Sequence, residues 1–75
     1  MTDESQMTEI KKFTLWWQYD QAGTMRDLAR ELDVTTQTIY YWLRGSPVPL
    51  KYLKRIEELS RGIFTKEMIR PDLFA

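Results

Sequence analysis

Seventy-five residues without a cysteine or a histidine leave room for one small domain. They exclude disulfide staples and thiolate metal sites, and they remove the commonest general base. Eleven basic side chains balance eleven acidic ones, so the net charge is zero, unlike the basic surplus usual in nucleic-acid binders. No apolar run approaches the roughly 18–20 residues that span a bilayer, and the opening MTDESQMTE is polar and acidic, unlike a secretory signal. A soluble cytoplasmic protein without a membrane partner is expected.

Apolar residues recur at spacings of three and four, and strand-like alternation is absent, so the chain reads as almost wholly helical. Residues 1–7 read as a disordered segment, 8–70 as the folded domain and 71–75 as a tail. The first helix spans about Thr8 to Asp20, capped by Thr8. Ile10, Phe13 and Trp17 form its inward stripe at i, i+3 and i+7. Leu15 and Tyr19 project to the opposite side with Trp16 between them, an apolar belt too wide for a simple surface helix. Gly23 breaks this helix. Thr24, followed by Asp27, opens the next with an N-cap and an acidic third position. The second helix, Met25 to Leu32, gathers Met25, Leu28, Ala29 and Leu32 on one face, with Ala29 small enough for another backbone to approach. Asp33 and Val34 make a turn. A third helix runs from Thr35 or Thr36 to Arg44, stopped by Gly45-Ser46-Pro47. Pro49 suits the first position of a fourth helix reaching Ser60 or Arg61. Its expected buried stripe is Leu50, Leu53 and Ile56, with Lys51, Lys54, Arg55 and Glu58 outside. Gly62 ends it, Thr65 caps one further turn, and Pro71 closes that turn.

The third helix carries the functional signal. At about 100° per residue, Ile39, Trp42 and Leu43 cluster on one side, and Gln37, Tyr40, Tyr41 and Arg44 on the other. The outer face is uncharged until its end, aromatic, and rich in hydrogen-bonding groups. Glutamine can bond adenine N6 and N7, threonine offers a hydroxyl and a methyl, and arginine pairs with guanine or clamps a phosphate. Charge is polarised to match. Residues 35–66 carry Arg44, Lys51, Lys54, Arg55, Arg61 and Lys66 against only Glu57 and Glu58, whereas residues 1–34 are net acidic. The competing readings are plain ones: half-buried tyrosines that only pack, and lysines on an ordinary solvated face.

Two short helices joined by a tight turn suggest a helix-turn-helix. The stretch MRDLARELDVTTQTIYYWLR, Met25 to Arg44, resembles the twenty-residue helix-turn-helix motif of phage repressor and Cro proteins. Its fifth-position alanine falls on Ala29, its aliphatic fifteenth on Ile39 and its bulky eighteenth on Trp42. Asp33 replaces the usual glycine of the ninth position, a residue that tolerates the left-handed conformation better than most. The following GSPVPLKYLKRIEELSRGIFTKEMIRPDLF is similar to the Cro/YdaS-like branch, down to the ending Arg70-Pro71-Asp72-Leu73-Phe74. In all, the resemblance covers roughly Gly23 to Phe74.

The resemblance implies an all-α, compact five-helix bundle of lambda-repressor-like type, with the third helix in the DNA major groove. It places Thr36, Gln37, Tyr40 and Tyr41 toward bases, and Thr35 and Thr38 toward the backbone or base margins. Arg44, Ser46, Lys51, Lys54 and Arg55 would touch phosphates. Met25 stands where the family often has a phosphate-binding glutamine, leaving that contact to backbone N–H groups. The implied function is sequence-specific transcriptional regulation, in the manner of a Cro-like phage or prophage repressor. Its partner would be a double-stranded DNA operator, bound as a homodimer in a bacterial cytoplasm or nucleoid. Leu15, Trp16 and Tyr19, or alternatively Leu73 and Phe74, are candidates for the dimer interface. The alternative is a protein-interaction module, such as an antitoxin or antirepressor, that reuses the fold. No enzymatic activity, metal, cofactor or small-molecule ligand is expected, because no carboxylate pair is isolated with a base or a metal-binding partner.

Overall fold

The computed structural model describes residues 8–74, so the segment 1–7 expected to be disordered lies outside the described residues, as does Ala75. The described chain forms five helices: α1 Glu9–Tyr19, α2 Met25–Leu32, α3 Thr36–Leu43, α4 Leu50–Leu59 and α5 Lys66–Ile69. The all-α, five-helix architecture is therefore the one observed. α1 packs on α2, α3 and α5, α2 on α3 and α4, and α4 on α5.

Four of these helices begin the same way. Thr8, Thr24, Thr35 and Thr65 hold extended backbone at the N-cap, and each hydroxyl oxygen accepts from the N–H three residues on. Each cap satisfies one of the donors that a helix start leaves open. α4 differs. Pro49 was expected at its first helical position but stands one earlier, at the cap, with extended backbone and no side-chain hydrogen bond.

Gly23 lies in the break between α1 and α2, as expected, but not for its backbone freedom. Its φ is not positive; the left-handed residue between α1 and α2 is Ala22, at φ 53°. Glycine is needed at 23 for space. A Cβ there would lie 2.3 Å from Trp17 Nε1, the same nitrogen that donates to the Thr24 carbonyl at 2.9 Å. Asp33 does adopt the expected left-handed conformation, at φ 60° and ψ 46°, and its N–H closes the end of α2 on the carbonyls of Ala29 and Arg30. Gly45 takes φ 117° after α3. At the end of α4 both Arg61 and Gly62 have positive φ.

Phe13, Leu28, Ile39, Leu53 and Ile56 are fully buried, so α1 to α4 each place at least one side chain at the centre of the core. Leu50 does not join them: it is 61% exposed. It lies about 60° round α4 from Leu53 and 120° from Ile56, beyond the arc that neighbouring elements cover. Trp17 is half-buried, bridging the α1–α2 turn. Trp16 stacks on Phe13, centroids 6.0 Å apart, and meets Phe64 edge-on at 6.1 Å.

Four buried residues fall outside the expected stripes: Thr14, Val48, Ser60 and Phe64. Thr14 returns its hydroxyl to the Lys11 carbonyl at 2.8 Å. Ser60 accepts from the Phe64 N–H at 3.0 Å, fixing the connection that brings Phe64 under Phe13. Val48, in the connector between α3 and α4, is buried, and its carbonyl accepts from Arg70 Nη1 at 2.7 Å. Arg70 also grips Asp72 with two hydrogen bonds of 3.0 and 2.8 Å. That hydrogen-bonded pair holds the Asp72 carboxyl below the usual carboxylate range and pushes the Arg70 guanidinium further up. Residues 71–74 thus turn back on the domain, with Lys66 Nζ 5.5 Å above the Phe74 ring.

Candidate nucleic-acid interface

α3 is positioned from three sides. Thr35 caps its start and shares a 3.0 Å hydroxyl contact with Thr38. Ile39 and Trp42 sink into the core at 0% and 4% exposure, and Leu43 packs at its edge. Tyr52 of α4 braces Trp42, centroids 5.3 Å apart. With that side fixed, the helical period leaves Gln37, Tyr40, Tyr41 and Arg44 pointing outward, and all four are exposed. Tyr40 and Tyr41 are each 47% exposed, so each presents about half of its surface on the flank of α3.

Two of these groups are joined. Gln37 Nε2 donates to the Tyr41 hydroxyl at 3.1 Å. The bond ties the amide to the hydroxyl, and the amide oxygen and second N–H have no other hydrogen-bond partner among the described residues. An acceptor and a donor side by side are what bidentate contact with adenine N6 and N7 needs. Thr36 and Thr38 are half-buried on the flank of α3, and Thr35 is exposed at its start but spends its hydroxyl on the cap.

The basic candidates separate into two sets. Arg44, Ser46 and Lys51 are exposed around the end of α3 and the start of α4, with Lys51 Nζ 5.1 Å over the Tyr52 ring. Arg55 is exposed but paired within the chain. Its guanidinium holds the Glu31 carboxylate at 2.6 Å and the Glu31 carbonyl at 3.2 Å, and it lies 3.6 Å from Glu58. These contacts hold the guanidinium against α2, while the side chain stays 46% exposed. Lys54 is exposed, but on the flank of α4 lined by Leu50 and Phe74, away from the Tyr52 side that braces α3.

The proposed dimer residues scatter. Tyr19 is 79% and Leu73 46% exposed, whereas Leu15 and Trp16 are half-buried and Phe74 folds against the core. The aromatic engagement of Trp16 with Phe64 was invisible in the sequence, since the partner lies 48 positions away. The Arg70 clamp on Val48 is the positioning contact that sequence reasoning missed. Its signal was the Arg-Pro-Asp run, but nothing local says which carbonyl it will hold.

No group of three or more potential metal ligands exists among the described residues. None of the helices they form is long and apolar enough to cross a membrane. No curated protein and no solved structure matches the chain. Residues 18–75 match the family described as Bacterial toxin YdaS. The match spans the α2–α3 unit, which resembles the repressor and Cro motif, and the stretch from Gly45 to Phe74, which carried the YdaS side of the resemblance. The protein therefore belongs to the YdaS family.

Proposed function

We propose that the protein is a sequence-specific DNA-binding regulator that lays α3 in the major groove and acts by occupying an operator, as a Cro-like repressor does. The observation that carries the reading is the outward face of α3: Gln37 and Tyr41 pre-joined at 3.1 Å, Tyr40 beside them, and Ile39 and Trp42 anchoring the opposite side. Arg44, Ser46 and Lys51 border this face as phosphate contacts, which position a protein on DNA without reading sequence. α4 adds to them. It alone lacks a side-chain cap, so its opening N–H groups suit an anionic oxygen. Binding as a homodimer on paired half-sites would supply the affinity one small unit lacks.

Selection from a random duplex pool, followed by titration of the enriched duplex at several salt concentrations, tests this. With Arg44 and Lys51 as the cationic contacts, the slope of log K against log salt should be about −2 per protomer. No enrichment, or binding indifferent to salt, would refute it.

A second reading has its own support. The family description names a toxin, the net charge is zero, and two half-exposed tyrosines suit a protein surface as well as a base edge. On that reading α3 docks a partner protein, and its binding survives salt concentrations that strip DNA.

A further inference from the structure

The other flank of α4 holds a surface that DNA binding does not use. Leu50, Lys54, Glu57 and Glu58 of α4, with Arg61 just beyond its end, meet Lys66 and Phe74 around an open, mostly apolar groove of about 630 Å3. Its size falls in the range of ligand clefts. Leu50 is its conspicuous member, an aliphatic side chain 61% exposed, facing an aromatic ring covered by Lys66.

The charges around the groove are unevenly spent. Glu57 accepts from the Lys66 backbone N–H at 3.1 Å, and Glu58 lies against Arg55. Lys66 is near Glu67 at 3.9 Å. Lys54 and Arg61 have no ion pair and no side-chain hydrogen bond among the described residues. Lys54 lies on α4 and Arg61 just past its C-cap, in left-handed backbone, and both line the groove. Two uncompensated cations therefore bracket an apolar groove. A second copy of the chain is a poor occupant, because a two-fold contact brings the same patch, whose carboxylates Glu57 and Glu58 are already engaged by the Lys66 N–H and Arg55.

We propose that this groove docks a peptide segment of a partner protein, with a bulky apolar side chain between carboxylates that reach Lys54 and Arg61. The apolar residue seats against Leu50 and Phe74, and the cations set its register and reject basic segments. Tyr52 and Arg55, on the opposite flank of α4, point toward α3 and α2, so an occupied groove leaves the outward face of α3 open.

The test is selection of a phage-displayed random dodecapeptide library on the protein, then fluorescence polarisation with the winning peptide. Carboxylates around leucine or phenylalanine should dominate the selected sequences. Affinity should fall about tenfold or more in Lys54→Glu/Arg61→Glu and in Leu50→Glu. All three positions are exposed, and circular dichroism checks that the variants fold. Amide shifts should move along 50–61 and 66–74 and stay fixed along 36–44. Failure to enrich any peptide, a consensus without carboxylates, or shifts confined to α3 would overturn the assignment. So would a concentration-dependent dimer in sedimentation that Leu50→Glu abolishes, since that gives the groove to a second copy.

Discussion

The α2–α3 unit and the frame around it are held by different kinds of contact. Within the unit, the fixing interactions are short in sequence: Thr24 to Asp27, Asp33 to Ala29, Thr35 to Thr38. The frame is closed by distant partners: Trp16 on Phe64, Arg70 on Val48, Arg55 on Glu31. The unit sets the shape of the exposed α3 surface. The frame sets where that surface stands, chiefly by burying Trp42 against Tyr52 and by holding the connector that follows α3.

The largest effect should come from the residue that belongs to both. Trp42→Ala removes the inward anchor of α3 and should cost about 3–5 kcal/mol in urea unfolding, enough to unfold a domain this small. Trp16→Ala should cost less, about 1–3 kcal/mol, because Trp16 is half-buried at the edge of the core. Equal costs would dissolve the distinction between anchor and frame.

The α1–α2 turn sharpens it next. Gly23→Ala drives a methyl into the Trp17 indole and should destabilise by about 1–3 kcal/mol. Ala22→Gly relieves a left-handed alanine and should stabilise by up to about 1 kcal/mol. Reversed signs would return the turn to Gly23. Asp33→Gly is a smaller change of the same kind, a gain of roughly 0.5 kcal/mol. It should leave DNA affinity unchanged if Asp33 serves only the backbone.

The smallest effect concerns Asp72. Its carboxyl is held below its unfolded value by Arg70, so its contribution is present above about pH 4 and is lost as pH falls through the lowered value. Asp72→Asn should therefore melt below wild type at neutral pH and converge with it in acid. A constant gap at every pH would mean that the Arg70–Asp72 pair does not clamp the C-terminal segment.

The same division explains what could be read from the sequence. Helix starts were legible because threonine caps and glycine or proline stops are local signals. Gln37, Tyr40 and Tyr41 were legible because Ile39 and Trp42 fix their opposite side through the helical period alone. Leu50 misled, because a wheel marks an apolar position without knowing whether any element covers it. Gly23 misled for a related reason. Its need for space comes from Trp17 folding back over the turn, and a breaker reading credits backbone freedom instead. Arg55 looked like its neighbours Lys51 and Lys54 until Glu31, 24 positions earlier, was seen to occupy it.

In the proposed function, Gln37, steadied by Tyr41, reads bases from the outward face of α3. Titrating wild type and Gln37→Ala against the enriched duplex and its single-base variants tests it most directly. Loss of about 1–3 kcal/mol on the enriched site, with discrimination relaxed at one base pair and kept at the others, is the expected result. An equal loss on every sequence, or no loss at all, would contradict it.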